Sequence, residues 1–227
     1  MSERSIDDEW SNRSRVVYAA VRIFVSLIVR SGMVRLRVQG QERVPPSGPV
    51  LLVANHQSNL DPLLIGWLVP RPLSIPAKYE LFRVPVLRWI MRKLGSFPVN
   101  RAVADAGSLR RSLEMLRLGQ ILAVFPEGTR TRTGAIGTFE PTISRLAVRT
   151  KTRVLPVALA GSGRILPPGR KWPRFGAVVG LSYGEPFELS QFYDRKLCAD
   201  DAEQATEFIR SRVQAELEAA ERLAGRS

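Results

Sequence analysis

The single histidine of the chain, His56, stands directly after the apolar run Val50–Ala54 and five residues before Asp61. A neutral imidazole is the commonest general base near pH 7, and a carboxylate at this spacing can hold the second ring nitrogen in the required tautomer. A structural alternative is also open, because Asp61 followed by Pro62 is typical of a helix N-terminus with Asp61 as its cap. The pair therefore indicates either proton abstraction or the start of a helix.

A second polar segment, Glu127, Gly128, Thr129 and Arg130, follows the apolar run at residues 121–125. Its glycine lets the backbone approach a ligand, its threonine offers a hydroxyl, and its arginine presents a permanently charged fork suited to phosphate. Glutamate is a poor phosphate ligand, so we expect Glu127 to orient either Arg130 or the loop backbone. Together the two segments describe a base beside a site for an anionic group.

Four segments of the chain, in this order, resemble the glycerolipid acyltransferases typified by lysophosphatidic acid acyltransferase. That family carries an Asn-His-x4-Asp element, a lysine-to-arginine element, a Pro-Glu-Gly-Thr-Arg element and a late apolar strand with an internal proline. The matching segments here are residues 55–61, 78–101, 125–130 and 154–159. The resemblance covers roughly residues 35–185, and it implies an acyltransferase.

The resemblance also implies a role for each of these residues. His56 takes the proton of the acceptor hydroxyl while Asp61 stabilises the imidazolium, and the hydroxyl attacks an acyl thioester directly. Arg130, with Glu127, Gly128 and Thr129 in the same loop, binds the phosphate of a lysophospholipid acceptor, and Lys78 and Arg101 are further candidates for this role. The acyl donor is acyl-coenzyme A or acyl carrier protein, and no cofactor is expected.

One position departs from the family pattern. After the Pro-Glu-Gly-Thr-Arg loop the family usually shows phenylalanine, a basic residue and glycine, whereas this chain has Phe139, Glu140 and Pro141. A carboxylate repels a phosphate. Lysophosphatidic acid is the expected acceptor, and another lysophospholipid or a glycolipid stays open as an alternative.

Length and cysteine content limit the architecture and the chemistry. At 227 residues with 44% apolar content, the chain can bury one substantial core. Its single cysteine, Cys198, excludes an internal disulfide. Because the chain also has only one histidine, we expect no metal site.

A formal charge of +13 is concentrated in residues 83–111 and 130–174, whereas the segment from Glu185 onward is mostly acidic. Such a surface attracts nucleic acid, anionic lipid or an anionic metabolite, and charge does not choose among them. The chain lacks a known nucleic-acid motif and basic-aromatic interleaving, so nucleic acid is not the expected partner. A non-catalytic basic module that binds membrane or nucleic acid remains the alternative from another class.

Residues 16–29 form an apolar run that Arg22 interrupts. A membrane-spanning helix needs about 20 predominantly apolar residues, so this run predicts either a buried helix or a helix in the membrane interface. The acidic residues near Met1 argue against a cleavable signal. We expect residues 1–33 to be a helical membrane-association segment that holds the protein, as a peripheral or monotopic enzyme, at the cytoplasmic face of an anionic membrane.

The rest of the chain alternates short apolar runs with helical patterns, which predicts one α/β domain over residues 34–227, with a central mixed sheet flanked by helices. The predicted strands are residues 34–38, 50–54, 73–77, 96–99, 121–125, 154–160 and 177–183. The predicted helices are residues 62–68, 84–94, 104–118, 143–149 and 201–223. Loops that follow strands of such a sheet are where ligands bind.

Overall fold

The computed structural model describes residues 15–99, 106–131, 133–165, 174, 176–194 and 196–225. The strands are β1 (Val34–Gln39), β2 (Val50–Ala54), β3 (Leu73–Ser74), β4 (Pro76–Lys78), β5 (Phe97–Val99), β6 (Ile121–Val124), β7 (Arg153–Ala160) and β8 (Ala177–Tyr183). The helices are α1 (Arg15–Arg30), α2 (Asp61–Leu68), α3 (Pro85–Lys93), α4 (Ala106–Arg117), α5 (Thr142–Thr150), α6 (Ser162–Ile165) and α7 (Ala199–Leu223).

Six of these strands form a mixed sheet in the order β1-β8-β7-β2-β6-β3, in which only the β7–β8 pair is antiparallel. β2 is central, pairs in parallel with β6 and β7, and is buried along its whole length. A strand buried on both faces is expected to be continuously apolar rather than alternating, as Val50–Ala54 is. The predicted α/β fold with a central mixed sheet is thus confirmed.

One predicted strand, residues 73–77, is divided in two by the structure. β3 pairs with β6 in the main sheet, and β4 then leaves to pair with β5 in a separate two-stranded sheet. Pro76 begins β4 and has no N–H to donate, so the ladder with β6 is not extended through this residue. The prediction of one continuous strand was wrong for this reason.

Helices cover both faces of the sheet and bury alternate residues of β2. Leu51 and Val53 pack in a cluster with side chains of α4, α5 and α7. Val50 and Leu52 pack in the opposite cluster with side chains of α1 and α2. The second cluster matters for function, because α1 and α2 also form walls of the cavity described below.

Helix α1 contains the apolar run of the helical segment predicted over residues 1–33, of which residues 1–14 lie outside the described residues. It packs against α2 and β1 through a side that includes the buried Val25. Its other side leaves large apolar residues exposed: Val16, Ile23, Phe24 and Leu27. None of the helices in the described part of the chain is both long and apolar enough to cross a bilayer.

Candidate active site

The two polar segments meet because they follow neighbouring parallel strands. β2 ends at Ala54 and β6 at Val124, so the loops that begin after these residues lie at the same edge of the sheet. A backbone hydrogen bond joins the loops directly, since the N–H of Thr131 donates to the carbonyl oxygen of His56 at 2.8 Å. The base and the arginine-bearing loop therefore share one framework.

His56 and Asp61 are in direct contact, with 2.9 Å between Nδ1 and Oδ2. Asp61 is completely buried, and its Oδ2 also accepts the backbone N–H groups of Gln57 and Ser58, each at 2.7 Å. These contacts from one ring nitrogen and two backbone N–H groups fix the position of the carboxylate relative to the ring of His56. The alternative role for Asp61 as a helix cap was wrong, because α2 begins at Asp61 itself and Leu60 occupies the cap position.

The ring of His56 is held in orientation by two contacts. One is the bond to Asp61, and the other is stacking on Phe125, with 4.4 Å between ring centroids. A carboxylate on Nδ1 places the proton there, which leaves Nε2 with a lone pair that can accept a proton. The side chain is 11% exposed and lies in the wall of a cavity. This is the arrangement that a general base requires.

Two neighbours of His56, for which no role was predicted, fix the loop. The side-chain amide of Asn55 both donates to and accepts from the backbone of Leu159, at 3.0 and 2.8 Å. Gln57 Oε1 accepts the N–H of Gly161 at 3.1 Å, and its Nε2 donates to the carbonyl oxygen of Gly134 at 3.4 Å. Polar residues directly after a buried strand are the available sequence signal for such positioning residues.

Glu127 connects the two loops through its carboxylate. Oε1 accepts the backbone N–H of His56 at 3.0 Å, and Oε2 accepts the N–H of Gly137 at 3.1 Å. Burial raises the pKa of Glu127, while the bonds from Gly137 and His56 act in the opposite direction. Of the two roles that the sequence left open, the structure places Glu127 on the loop backbone, including that of the base.

Gly128, Thr129 and Arg130 lie in the wall of the same cavity as His56. Gly128 has a φ of 67°, a left-handed conformation that glycine adopts without strain. The side chain of Arg130 is exposed, and within the described residues it makes no ion pair. A permanent cation beside the base is therefore available to an anionic ligand.

The other two residues proposed for anion binding have different outcomes. Lys78 ends β4 and contributes to the cavity wall, where its Nζ lies 3.3 Å from Oε1 of Glu80. Arg101 lies outside the described residues. Glu140, the departure from the family pattern, is exposed, and its N–H donates to the carbonyl oxygen of Pro126 at 3.2 Å.

The cavity measures about 800 Å³ and is lined mainly by apolar side chains. Helices α1, α2 and α3 contribute most of them, including Val21, Leu63, Trp67, Leu87, Ile90 and Met91. A cavity of this size accommodates a large ligand, and an apolar lining selects a hydrocarbon chain. The site thus combines a base, a cation and a space for an aliphatic group.

The sequence and the structure are both similar to known acyltransferases. Residues 35–160 match the family model described as Acyltransferase. The chloroplastic 1-acyl-sn-glycerol-3-phosphate acyltransferase LPAT1 of Arabidopsis thaliana is 33% identical over 60% of this chain and 38% of its own length. The lyso-ornithine lipid O-acyltransferase of Pseudomonas aeruginosa is 34% identical over 55% of this chain and 47% of its own length. The chain thus spans less than half the length of these two curated relatives.

Among solved structures, the 1-acyl-sn-glycerophosphate (LPA) acyltransferase PlsC from Thermotoga maritima is similar. The TM-score is 0.73 at 29% sequence identity, over 89% of this chain and 78% of that chain. The likeness therefore extends over most of this chain.

Proposed function

The chain belongs to the acyltransferase family, and on this premise we propose that it transfers a fatty acyl chain from an acyl thioester to the free hydroxyl of lysophosphatidic acid. The observation that carries the proposal is that His56, which contacts the buried Asp61, lies in the wall of an apolar cavity that also includes Arg130. A base, an anion site and a hydrocarbon site in one cavity are what this reaction needs.

In the proposed mechanism, Nε2 of His56 accepts the proton of the acceptor hydroxyl as its oxygen attacks the thioester carbonyl carbon. Asp61 stabilises the imidazolium that forms, through the 2.9 Å contact to Nδ1. Collapse of the tetrahedral intermediate breaks the carbon–sulfur bond, and the departing thiolate takes the proton from the imidazolium. The new bond is an ester, and no acyl-enzyme is required.

The cavity and the loop that carries Arg130 are proposed to bind different parts of the substrates. We assign an acyl chain to the space between α1, α2 and α3, because burying its methylene groups among apolar side chains is favourable. We assign the acceptor phosphate to Arg130, whose guanidinium can form two parallel hydrogen bonds with it. Lys78 supplies a second cation in the same cavity wall.

The proposed cellular setting is the cytoplasmic face of a membrane, where a lysophospholipid resides. The exposed apolar side of α1 and the formal charge of +13 support attachment to an anionic bilayer surface. The donor is acyl-coenzyme A or acyl carrier protein. Both are anionic, so the basic surface does not favour one of them.

A second acceptor is supported by a specific observation. The Pseudomonas aeruginosa relative, named for acylation of a lyso-ornithine lipid, is as similar in sequence as the plant 1-acyl-sn-glycerol-3-phosphate acyltransferase. Glu140 follows the phosphate loop here, and a carboxylate is compatible with a headgroup that carries an amine. A lysolipid with an amine-containing headgroup is therefore the alternative.

The deciding experiment is an acyl-transfer assay of the purified chain with palmitoyl-coenzyme A and palmitoyl-acyl carrier protein. Lysophosphatidic acid, lysophosphatidylethanolamine and lyso-ornithine lipid serve as acceptors, and mass spectrometry identifies the products. We expect phosphatidic acid to form fastest, and His56→Ala to form it about 10²–10⁴ times more slowly. Faster acylation of lyso-ornithine lipid would transfer the proposal to that acceptor, and no acylation with any pair would overturn it.

A further inference from the structure

Helix α3 separates the cavity from the outside of the protein. One side of the helix contributes Leu87, Ile90 and Met91 to the cavity wall. Val86 and Trp89 of the same helix do not line the cavity and are 69% and 55% exposed. Exposed large apolar side chains are unusual on a surface helix, whose outer side is ordinarily polar.

The exposed apolar surface extends beyond α3 into the 3₁₀ helix Tyr79–Arg83, against which α3 packs. We call this surface the α3 patch. Its exposed members are Tyr79, Leu81, Val84, Val86 and Trp89. An apolar surface of this kind on a soluble domain marks a site of contact with another molecule or a membrane.

Basic residues border the α3 patch. Arg83, Arg88 and Arg92 are all exposed, and Arg88 and Arg92 make no ion pair within the described part of the chain. The acidic residue of this segment, Glu80, lies 3.3 Å from Lys78 and near Arg83, so its charge is offset. The local surface is therefore apolar with a positive border.

We propose that the α3 patch enters the interface of an anionic lipid bilayer, as a membrane contact additional to that of α1. An exposed tryptophan and tyrosine among aliphatic residues, with arginines at the border, are the composition that the headgroup region favours. Helix α1 contacts α3, and both helices line the cavity. The proposal rests on the proposed function in one respect, since it places the acyl cavity directly behind the surface that meets the lipid.

An acidic carrier protein is the rival occupant, and the apolar character of the patch argues against it. Five exposed apolar side chains lie on this surface beside three arginines. A docking surface for an acidic protein depends chiefly on charge complementarity, which fixes orientation and raises the association rate. A bilayer accepts both the apolar groups and the arginines.

The first test measures partitioning of the full chain onto vesicles by sedimentation. Vesicles of phosphatidylglycerol and phosphatidylcholine in equal parts are compared with vesicles of phosphatidylcholine alone. We expect Arg88→Gln and Arg92→Gln each to weaken binding about fivefold on the anionic vesicles and little on the neutral ones. Val86→Ser combined with Trp89→Ser should weaken binding about tenfold on both.

The matched control is Leu118→Ser. Leu118 is 47% exposed, comparable to Trp89, but it precedes the amino end of β6 and so lies at the opposite edge of the sheet from the His56 loop. Its loss should leave vesicle binding unchanged. Equal effects of Leu118→Ser and the double variant would overturn the proposal.

The second test locates the patch relative to the bilayer. Cys198 is the only cysteine, and it caps α7 by accepting the N–H of Asp201 at 3.3 Å, so Cys198→Ser gives a cysteine-free chain with a residue that also caps well. A nitrobenzoxadiazole label is then attached through Val86→Cys, or through Leu118→Cys as the control. We expect a blue-shifted, brighter emission on anionic vesicles, with quenching by spin-labelled lipid, only at position 86.

These outcomes are independent of the acyltransferase assay. A label at position 86 that stays in water while the protein is bound to vesicles would overturn the proposal, whatever the enzyme acylates. Unchanged vesicle binding of the double variant, together with a raised KM for acyl carrier protein, would assign the patch to the donor protein instead. Normal insertion without any acylation would leave this proposal standing and remove the proposed function.

Discussion

Oε1 of Glu127 accepts a 3.0 Å hydrogen bond from the backbone N–H of His56, although 71 residues separate them in the sequence. Oε2 of the same carboxylate accepts the N–H of Gly137 at 3.1 Å. The carboxylate therefore fixes the backbone of the proposed base relative to the loop that carries Arg130. In the proposed reaction, Glu127 is a positioning residue that acts through His56.

Glu127→Gln tests this role. An amide has one oxygen acceptor and one NH2 group, so one of the two backbone N–H groups loses its partner. Gly137 is exposed, so water can satisfy its N–H, whereas loss of the partner of the partly buried N–H of His56 costs about 1–3 kcal/mol, or roughly a 5- to 150-fold effect. We expect kcat to fall by a factor in this range with little change in KM for the acceptor. A raised KM with unchanged kcat would instead make Glu127 a substrate-binding residue.

The burial of Glu127 also predicts that the free energy of unfolding depends on pH. Burial raises the pKa of Glu127 in the folded protein above its ordinary value of 4.5. The folded state then binds the proton of Glu127 more tightly than the unfolded state does. The stabilisation from this tighter proton binding is fully present below about pH 4.5, and it is lost as pH rises through the folded-state pKa of Glu127. Urea denaturation of wild type and Glu127→Gln should show their difference in unfolding free energy shifting in favour of wild type as pH falls from 7. A difference constant over this interval would contradict the assignment.

The order and type of the elements follow from sequence patterns that are local. β2 is a continuous apolar run because both of its faces are buried, and that run is visible without a structure. The division of residues 73–77 into two strands depends on which partner accepts each segment, and Pro76 was the only local sign of it. The pattern of apolar residues predicts that a segment forms a strand, whereas the strand with which it pairs depends on the tertiary structure.

Contacts within one loop of the site could be predicted from the sequence, whereas contacts between two loops could not. The spacing of His56 and Asp61 indicated their contact, which the structure places at 2.9 Å. The bond of Glu127 to the backbone of His56 depends on the adjacency of β2 and β6, and no sequence spacing encodes it. The cavity likewise combines side chains of α1, α2 and α3, which are distant along the chain.

Substitution of the proposed base should remove turnover without unfolding the protein. We expect His56→Ala to lower kcat by about 10²–10⁴, the usual contribution of a general base. Among the residues that the structure describes, the side chain makes one hydrogen bond and one stacking contact, so the melting temperature should change little. Wild-type turnover of His56→Ala in a normally folded preparation would remove the mechanism.

Asp61→Asn should differ from the histidine variant in its effect on folding. Oδ2 of Asp61 accepts two backbone N–H groups as well as Nδ1 of His56. An amide replaces one of the oxygens by a donor, favours the wrong tautomer of His56 and loses the negative charge. We therefore expect a comparable loss of kcat together with a lower melting temperature. Circular dichroism thermal scans of both variants measure the contrast, and equal melting temperatures would contradict it.

Gly66 gives access to the assigned acyl cavity. A methyl group at this position would lie 3.9 Å from both Leu73 Cδ2 and Tyr18 Oη, which is ordinary contact, so Gly66→Ala should be tolerated. Gly66→Leu places more atoms into the cavity wall, and we expect it to shift donor preference toward shorter acyl chains. Competition between octanoyl- and palmitoyl-coenzyme A measures the shift. A proportional loss on both donors would place the acyl chain of the donor elsewhere.

The assignment of the acceptor phosphate depends on Arg130, which is exposed in the cavity wall beside His56. A charge-assisted hydrogen bond to a partly desolvated phosphate contributes on the order of 1.5–3 kcal/mol, or roughly 10- to 150-fold. Arg130→Ala should lower kcat/KM for lysophosphatidic acid by about that factor. Arg130→Lys should recover only part, because it restores the charge without the fork.

The control for Arg130 is an acceptor of the same chain length that lacks the phosphate, such as a monoacylglycerol. Wild type should use this acceptor poorly. Arg130→Ala should be scarcely worse on it, because neither wild type nor the variant can form the contact between Arg130 and a phosphate. The ratio of kcat/KM for the two acceptors therefore isolates the phosphate contact from any general damage to the loop. If Arg130→Ala reduces both values by a comparable factor, Arg130 supports the loop or the acyl donor, and another cation of the cavity, Lys78, becomes the candidate for the phosphate.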